Sequence, residues 1–569
     1  MRRRSNWSLR ARSSGQLWIG APAAALLGGL WSGLVSPPAS GQTALTFAPA
    51  EVRRDQSIEL GMKIRQPFTV VAVGDLIQMY PFSRNNDPGI RSLVEVMRSA
   101  DVTLANNENT IVDHDTFRGT IAHMEAPASV ADDWANMGID IVSKANNHTF
   151  DNGEAGLWAD FRELRRVGIE HVGADYNLTE ARMTRSVSTP MGTVGMIGVY
   201  ANSARDDRRL YGLPARDPVY VTAAQLQQLK AMHDAIVARR REVPNPIAVP
   251  EPDAPDEVLV FGILFKAAAR GTPLVGDPAA NRLVAAMSRS RERHEEITSR
   301  INELHVSATI SVTREQMSQL RAIAGDHGTG DRLTAFGGIR FRIGERIGEY
   351  SYEMDQQELR NILREIRTGK QFNDFMAVTI HWHQNRYAFQ HYSFDHYPAD
   401  FEIAFARAAI DQGADFFFAH GVHTLKGIEI YHGRPIFYGL SHFVFQSQAF
   451  RSWRDFGDQT DAAPAGAIEG EGEYNENWWH WLQQPANLVS LLTQTHYENG
   501  QLAEIRLYPA ELGIPARPGS QSGTPRRASP ELSRQILEQV QEYSRPFGTR
   551  IRIEDGVGII RLSEQPRRN

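Results

Sequence analysis

Phe68-Thr69-Val70-Val71-Ala72-Val73 is a short, largely apolar run that stops at Gly74-Asp75. Its length, its β-branched residues and the closing glycine read as a buried strand with a carboxylate at its C-terminal end. The same grammar repeats downstream. Asp101 to Ala105 predicts a second strand ending at Asn106-Asn107-Glu108, and Ile139-Asp140-Ile141-Val142-Ser143 a third ending at Asn146-Asn147-His148. A helix is expected over residues 154–167, then strands at Ile169 to Gly173 and Val194 to Val199. Strands alternating with helices specify an α/β sheet, and such sheets bind ligands beyond the C-terminal ends of their strands.

The pattern resumes at Phe375-Met376-Ala377-Val378-Thr379-Ile380, which closes on His381. Phe401 to Gln412 reads as an amphipathic helix, and Ala414 to Ala419 as a strand leading into His420. Hairpins are expected at Gly427 to Tyr438, around His432-Gly433, and at Leu488 to Tyr508, where Asn499-Gly500 makes the turn. Residues 515–530 read as loop and Glu531 to Ser544 as helix. Between the two α/β stretches, residues 205–370 are rich in Arg, Gln and Ala, with helical segments at Thr222–Arg241 and Arg314–Ala324. Pro244 to Pro252 carries four prolines and reads as a link rather than a core element. This region is expected to be an insertion or a helical subdomain. An acidic Gly/Ala-rich loop at 456–476 precedes Trp478, Trp479 and Trp481, which read as a polymer-stacking platform or as a lid.

Composition narrows the function classes. The 569 residues carry Lys+Arg 61 against Asp+Glu 67, a net charge of −6, so there is no basic footprint and no nucleic-acid partner is expected. The absence of cysteine excludes disulfides, thiolate metal sites and a cysteine nucleophile. At the N-terminus, Arg2, Arg3, Arg4, Arg10 and Arg12 precede a mostly apolar Leu17 to Val35 and a small-residue site at Ala39-Ser40-Gly41. That order reads as an export signal over residues 1–41, with an uncleaved anchor as the alternative. The mature chain is therefore expected in the periplasm or outside the cell, membrane-anchored in the alternative.

Eight of the 18 histidines (381, 383, 391, 396, 420, 423, 432 and 442) crowd between residues 381 and 442. Several stand where strands end, as do Asp75, Glu108, Asn147 and His148. Carboxylate, amide and imidazole groups gathered at one sheet edge form an N/O ligand set suited to Mn, Fe or Zn. Burying so many polar groups together without a cation is costly.

These segments resemble the bacterial capsule synthesis protein CapA, or poly-γ-glutamate synthesis, family. The resemblance rests on Val73-Gly74-Asp75, Asn107-Glu108, Ala145-Asn146-Asn147-His148 with Asp151-Asn152-Gly153, Ile380-His381-Trp382-His383, Gly413-Ala414-Asp415, Ala419-His420-Gly421-Val422-His423 and the run Gly427 to Tyr438. It covers about residues 67–200 and 370–560. The family is similar to calcineurin-like metallophosphoesterases. The implied fold is a four-layer αββα sandwich with an inserted helical and loop region and C-terminal hairpins. The implied segments are a first part of the domain at 67–204, the insertion at 205–370, a second part at 371–512, and a C-terminal loop, helix and strand at 513–569.

The resemblance also assigns roles. Asp75 would hold a first metal and Glu108 would bridge two. Asn147, His381 and His420 would hold the second, and His423 would return to the first. His148 would act as general acid or electrostatic stabiliser, with Asp151 orienting it. Two divalent ions, Mn, Fe or Zn, are implied. Three departures stand out. The superfamily's Asp-x-His reads Asp75-Leu76-Ile77 here, so the first metal is one imidazole short. His383 follows His381-Trp382 where relatives carry glycine, and could add a ligand or bind substrate. His442 stands in Gly439-Leu440-Ser441-His442-Phe443 where relatives carry asparagine, with its role open.

The expected function is an exported, metal-dependent hydrolase or transferase acting in synthesis, release or export of an anionic capsule polymer such as poly-γ-glutamate. Its partners would be that polymer or a phosphoester, and membrane capsule-synthesis proteins. One alternative is a non-catalytic polymer-binding or assembly component. Another is a metallophosphatase or phosphodiesterase unrelated to capsule.

Overall fold

The computed structural model describes residues 55–119, 124–203, 219–240, 254–261, 263–269, 272, 274, 300–336, 339–384, 386–387, 396–446, 488–513 and 521–565. The expected signal at 1–41, the proline-rich link at 244–252, the acidic loop, Trp478, Trp479, Trp481 and His391 lie outside the described residues. Among the described residues no helix is long and apolar enough to cross a membrane.

The elements that position the site are strands β1 (Phe68–Ile77), β2 (Val102–Asn107), β3 (Ile141–Ser143), β4 (Glu170–Val172), β5 (Gly192–Ser203), β6 (Glu303–Val312), β7 (Phe375–His381), β8 (Phe416–His420), β9 (His442–Phe445), β10 (Val489–Glu498) and β11 (Gln501–Glu511). With them go helices α1 (Pro88–Ser99), α2 (Ser129–Met137), α3 (Gly153–Val167), α4 (Gln356–Phe372), α5 (Asp400–Asp411) and α6 (Pro530–Ser544). Among the described residues these strands belong to two ten-stranded sheets. The first has the central order β11-β10-β1-β2-β3-β4, with β9 pairing β1, and the second has β6-β5-β7-β8. The runs β1-β2-β3-β4 and β6-β5-β7-β8 are parallel, as is the β1·β9 pair. Each run thus presents all its C-terminal ends together.

Alternation along the strands builds the layers. On β1, Val71 and Val73 pack with Leu93 of α1, Trp134 of α2 and Leu164 of α3. Phe68, Val70 and Ala72 point the other way, onto Phe375 and Ala377 of β7 and Phe416 and Phe418 of β8. The opposite faces of those strands, with Met376, Val378 and Phe417, are covered by Ile362 and Ile366 of α4 and Phe405 of α5. Helices, sheet, sheet, helices: the expected αββα order is present. Phe68, Phe375 and Tyr497 lock the two sheets, their ring centroids 5.3 to 6.5 Å apart.

Helix ends follow local chemistry. Asp87 caps α1 by accepting from the Gly89 and Ile90 amides, with Pro88 in the first turn. The α3 helix stops at Gly168 in the left-handed region (φ +84°), behind Arg165 and Arg166 in its last turn.

Residues 205–370 supply strands as well as the expected helices. Among the described residues their helices run over 223–240 and 314–324, and α4 begins at Gln356. Strand β6 is the join. Its first half pairs β5 and buries Leu304 and Val306 in the outer core of the second sheet. Its second half pairs residues 339–343 and buries Ile310 and Val312 in a separate core with Leu229 and Leu320.

Candidate metal centre

The C-terminal end of β1 is not a regular strand. Ala72 pairs with Leu104 and Asp75 with Asn106, so three steps on β1 answer two on β2. The extra residue reverses the alternation, and Asp75 turns to the inter-sheet side used by Phe68, Val70 and Ala72. On the other edge β9 approaches very closely. A Cβ on Gly74 would lie 1.8 Å from the Ser441 carbonyl oxygen. Ser441 itself is left-handed (φ +60°) and accepts a hydrogen bond from the Asp75 amide at 3.2 Å.

Asp75 is fully buried and well partnered. Its Oδ1 accepts from Asn106 Nδ2 at 2.9 Å and its Oδ2 from the Gly421 amide at 3.1 Å. Its Oδ1 also lies 3.3 Å from His420 Nδ1 and 3.9 Å from His381 Nδ1. Burial, the largest single influence, pushes its pKa up, but His420, His442 and the Asn106 hydrogen bond together hold the carboxyl below its usual value. Asn106 is the hub of this edge, because its Oδ1 accepts from Asn146 Nδ2 at 3.1 Å. Asn146 also donates to the Asn107 carbonyl at 2.8 Å and accepts from the His148 amide at 3.1 Å. Two neighbouring asparagines thus tie the ends of β2 and β3 together and set the direction of the loop that carries Asn147 and His148.

Below this loop, Lys144 and Asp160 form a buried pair at 3.5 Å. Asp160 also accepts from Asn107 Nδ2 at 2.8 Å and the Ile111 amide at 2.9 Å, which fixes the turn holding Glu108. Glu108 is fully buried with its Oε1 3.7 Å from His148 Nε2. Burial, then the neighbouring Asp75 carboxylate, drive its pKa well above the ordinary value. His148 is about one-fifth exposed, and its Nδ1 meets Asp151 Oδ2 at 2.7 Å.

The second sheet brings the imidazoles. His381 and His420 are register partners at the ends of β7 and β8, with their Nδ1 atoms 3.0 Å apart. The turn after His420 needs Gly421 (φ +85°), whose added Cβ would strike the His381 ring at 2.7 Å. His423, left-handed at φ +54°, stacks on His442 with centroids 4.4 Å apart. His383 lies 4.7 Å from the His381 ring and 5.3 Å from that of His423. Burial lowers the pKa values of these rings: His381 and His423 fall well below the usual histidine value, His442 to about 4 and His383 to about 3. Burial thus favours neutral imidazole at these four rings, the form that binds metals.

Two triads emerge, each with ligand atoms within 4.8 Å of one another: Asp75 with His381 and His420, and Asp75 with His423 and His442. Asp75 belongs to both, whereas Glu108, expected as the bridge, belongs to neither and faces His148. The donor set fits a cation. Both Glu108 carboxylate oxygens, Asn147 Oδ1, and the Nε2 atoms of His381 and His420 are buried with no hydrogen-bond partner among the described residues. Buried polar atoms of this kind are expensive to leave unmet. Of the other crowded histidines, His396 is bound to the Leu425 carbonyl and stacked on Tyr543, and His432 sits at the surface near Asp411. Asn106, the hub, carried no role in the sequence reading. Its position one residue before Asn107-Glu108 was the available signal.

Residues 69–250 and 257–447 match the family described as Bacterial capsule synthesis protein PGA_cap. The chain belongs to this family. Among relatives of the chain, the Uncharacterized protein y4sH of Sinorhizobium fredii is 30% identical over 519 residues, covering 87% of this chain and 93% of that one. The PGA biosynthesis protein CapA of Bacillus subtilis is 38% identical over 90 residues, 16% of this chain and 21% of that one. A hypothetical protein from Thermus thermophilus aligns in structure over 78% of this chain and 99% of its own, at 10% identity and a TM-score of 0.32. The sites described above fall inside the matched PGA_cap segments.

Proposed function

We propose that this protein is an exported, metal-dependent hydrolase or transferase that acts on an anionic envelope polymer of the poly-γ-glutamate class during its synthesis, release or export. The observation that carries the reading is the grouping of Asp75 with His381 and His420, whose Nε2 atoms are buried and unpartnered, as are the Glu108 carboxylate oxygens and Asn147 Oδ1. Membership of the PGA_cap family supports the polymer, and the reading of residues 1–41 supports export.

Asp75, His381, His420, His423, Glu108 and Asn147 would hold the ions, with Mn, Fe or Zn suited to N/O donors. A pair of divalent ions supplies Lewis acidity toward a phosphoryl or carbonyl oxygen and makes water a stronger acid. The chain's own residues handle the remaining proton. Asp151 accepts from His148 Nδ1 and so fixes the ring's orientation. The opposite nitrogen, Nε2, then faces Glu108 and the site, where the imidazolium form delivers a proton to the departing oxygen or nitrogen. His148 is reachable from solvent, unlike the fully buried His381 and His420.

Ile77 favours a second reading. It fills the position of the usual Asp-x-His imidazole with a buried apolar side chain, which suits an assembly component that holds one ion or none.

The test is metal content of the mature protein purified without chelators, beside His381→Ala and Asp75→Ala. About two ions per chain, lost in both variants, supports the hydrolase. Turnover of phosphodiesters or γ-linked glutamate polymers by the loaded protein then identifies the bond. No bound metal, even after loading with Mn or Zn, sinks the hydrolase and leaves the assembly role.

A further inference from the structure

The first-metal position has lost the imidazole that Asp-x-His would give, yet another imidazole occupies the neighbouring strand. In the parallel β1·β9 pair, Asp75 and His442 are register partners. The register shifts immediately afterwards, between Asp75 and Leu76, so the pairing aligns these two residues in particular. Two features enforce the approach. Gly74 has no Cβ to collide with Ser441, and Ser441 adopts a left-handed backbone directly before His442. At position 77, by contrast, Ile77 pairs with Phe445 and is buried among apolar neighbours.

We infer that His442 is a ligand of the first metal, supplying from β9 the imidazole that residue 77 on β1 does not. His442 is fully buried, and neither of its ring nitrogens has a hydrogen-bond partner among the described residues. Its Nδ1 lies 3.7 Å from Asp75 Oδ2. That is too long for a hydrogen bond and close enough for one cation to touch both atoms. The ring cannot turn to another partner, because it is held between Phe445 (centroids 4.3 Å, 23°) and His423 (4.4 Å, 25°). With His423 it completes a buried two-imidazole, one-carboxylate triad. A histidine retained only to pack would leave two polar nitrogens buried without compensation, at a cost that phenylalanine at the same place avoids.

This inference rests on the metal-centre reading above, and one experiment separates the two. His442→Phe keeps the aromatic stack and removes both nitrogens. Metal content after dialysis, Zn2+ affinity by competition with a chromophoric chelator, and the visible spectrum of the Co2+-loaded protein are compared for wild type, His442→Phe, His442→Asn and His381→Ala. Thermal midpoints in chelator check that each apo variant is folded. The expected result is about two ions in wild type and about one in His442→Phe, with a changed Co2+ spectrum. His442→Asn is expected to bind the weaker ion at least about tenfold less tightly. If wild type holds a single ion, its loss in His442→Phe supports the inference and its loss only in His381→Ala overturns it. Two ions with unchanged affinity and spectrum in His442→Phe overturn the inference and leave the metal centre standing. No ion in wild type overturns both. If His442→Phe does not fold, the His442→Asn affinities decide alone.

Discussion

Replacing Gly74 by alanine puts the closeness of β1 and β9 to a direct test. The new Cβ would sit 1.8 Å from the Ser441 carbonyl oxygen and 3.0 Å from its carbon. An ordinary carbon–oxygen contact needs about 3.3–3.6 Å, so the strands must part by about 1.5 Å. Backbone atoms form the obstacle, and a flexible side chain cannot relieve it. Forced overpacking costs about 1–3 kcal/mol. Parting the strands also weakens the hydrogen bond from the Asp75 amide to Ser441, worth about 0.5–1.5 kcal/mol. We expect Gly74→Ala to be destabilised by about 2–4 kcal/mol in urea unfolding with chelator present. The same displacement pulls Asp75 away from His442, so the variant should also lose metal. Gly433→Ala is the control. It is left-handed (φ +73°) with nothing within 4 Å of an added Cβ, so it should cost only about 1–2 kcal/mol and leave metal binding intact. A Gly74→Ala protein with a wild-type midpoint and wild-type metal content would refute the argument that this contact aligns the site.

Lys144→Met should destabilise the fold by about 3–5 kcal/mol in the same assay, because it leaves Asp160 buried without its cation, and Lys144→Met/Asp160→Leu should recover part of the loss. His171, buried and stacked on Phe161, has its pKa lowered by burial to about 4 from 6.5. Its contribution is fully present above about pH 6.5 and is lost as pH falls toward 4, since only the unfolded chain takes up the proton there. At about 1.4 kcal/mol per pKa unit the loss is about 3 kcal/mol, and urea midpoints measured across that range should show a flatter acid limb in His171→Phe. His148→Ala should keep wild-type metal content while lowering turnover of an activated phosphodiester by about 10²–10⁴-fold, and Asp151→Asn should lower it less while shifting the pH profile.

The layers of this fold were legible because each strand carries its own periodicity. Phe68 to Val73, Phe375 to Ile380 and Ala414 to Ala419 announce buried strands, and the turn at Asn499-Gly500 announces a hairpin. The observed strands 68–77, 375–381 and 416–420 and the hairpin 489–511 lie on those segments. Strand β6 was missed although Leu304, Val306, Ile310 and Val312 alternate with the polar Glu303, His305 and Ser307, because residues 205–370 read as a largely helical region. The candidate site residues were readable as motifs, but their arrangement was not. The bulge that turns Asp75 inward exists only in the pairing of β1 with β2. The neighbourhood of Asp75 and His442 joins positions far apart in sequence through one parallel ladder. Neither fact has a local signature. Both depend on which strands come to lie side by side.

Strand β6 belongs to two cores without a break, and this limits how the elements packed on its second half can move. A hinge needs a few residues free to change backbone angles. Here residues 303–306 are laddered to β5, 309–312 to residues 340–343, and residues 350–354 run antiparallel along 306–310 across the join. No swivel point remains along this strand, so the elements paired with its second half cannot swing about β6 as a hinged flap would. They form instead a stiff arm rooted beside Tyr200, which pairs with Glu303 and whose ring centroid lies 5.9 Å from that of His381. A push on the far end of the arm travels along β6 toward His381, a candidate metal ligand, rather than being absorbed along the way.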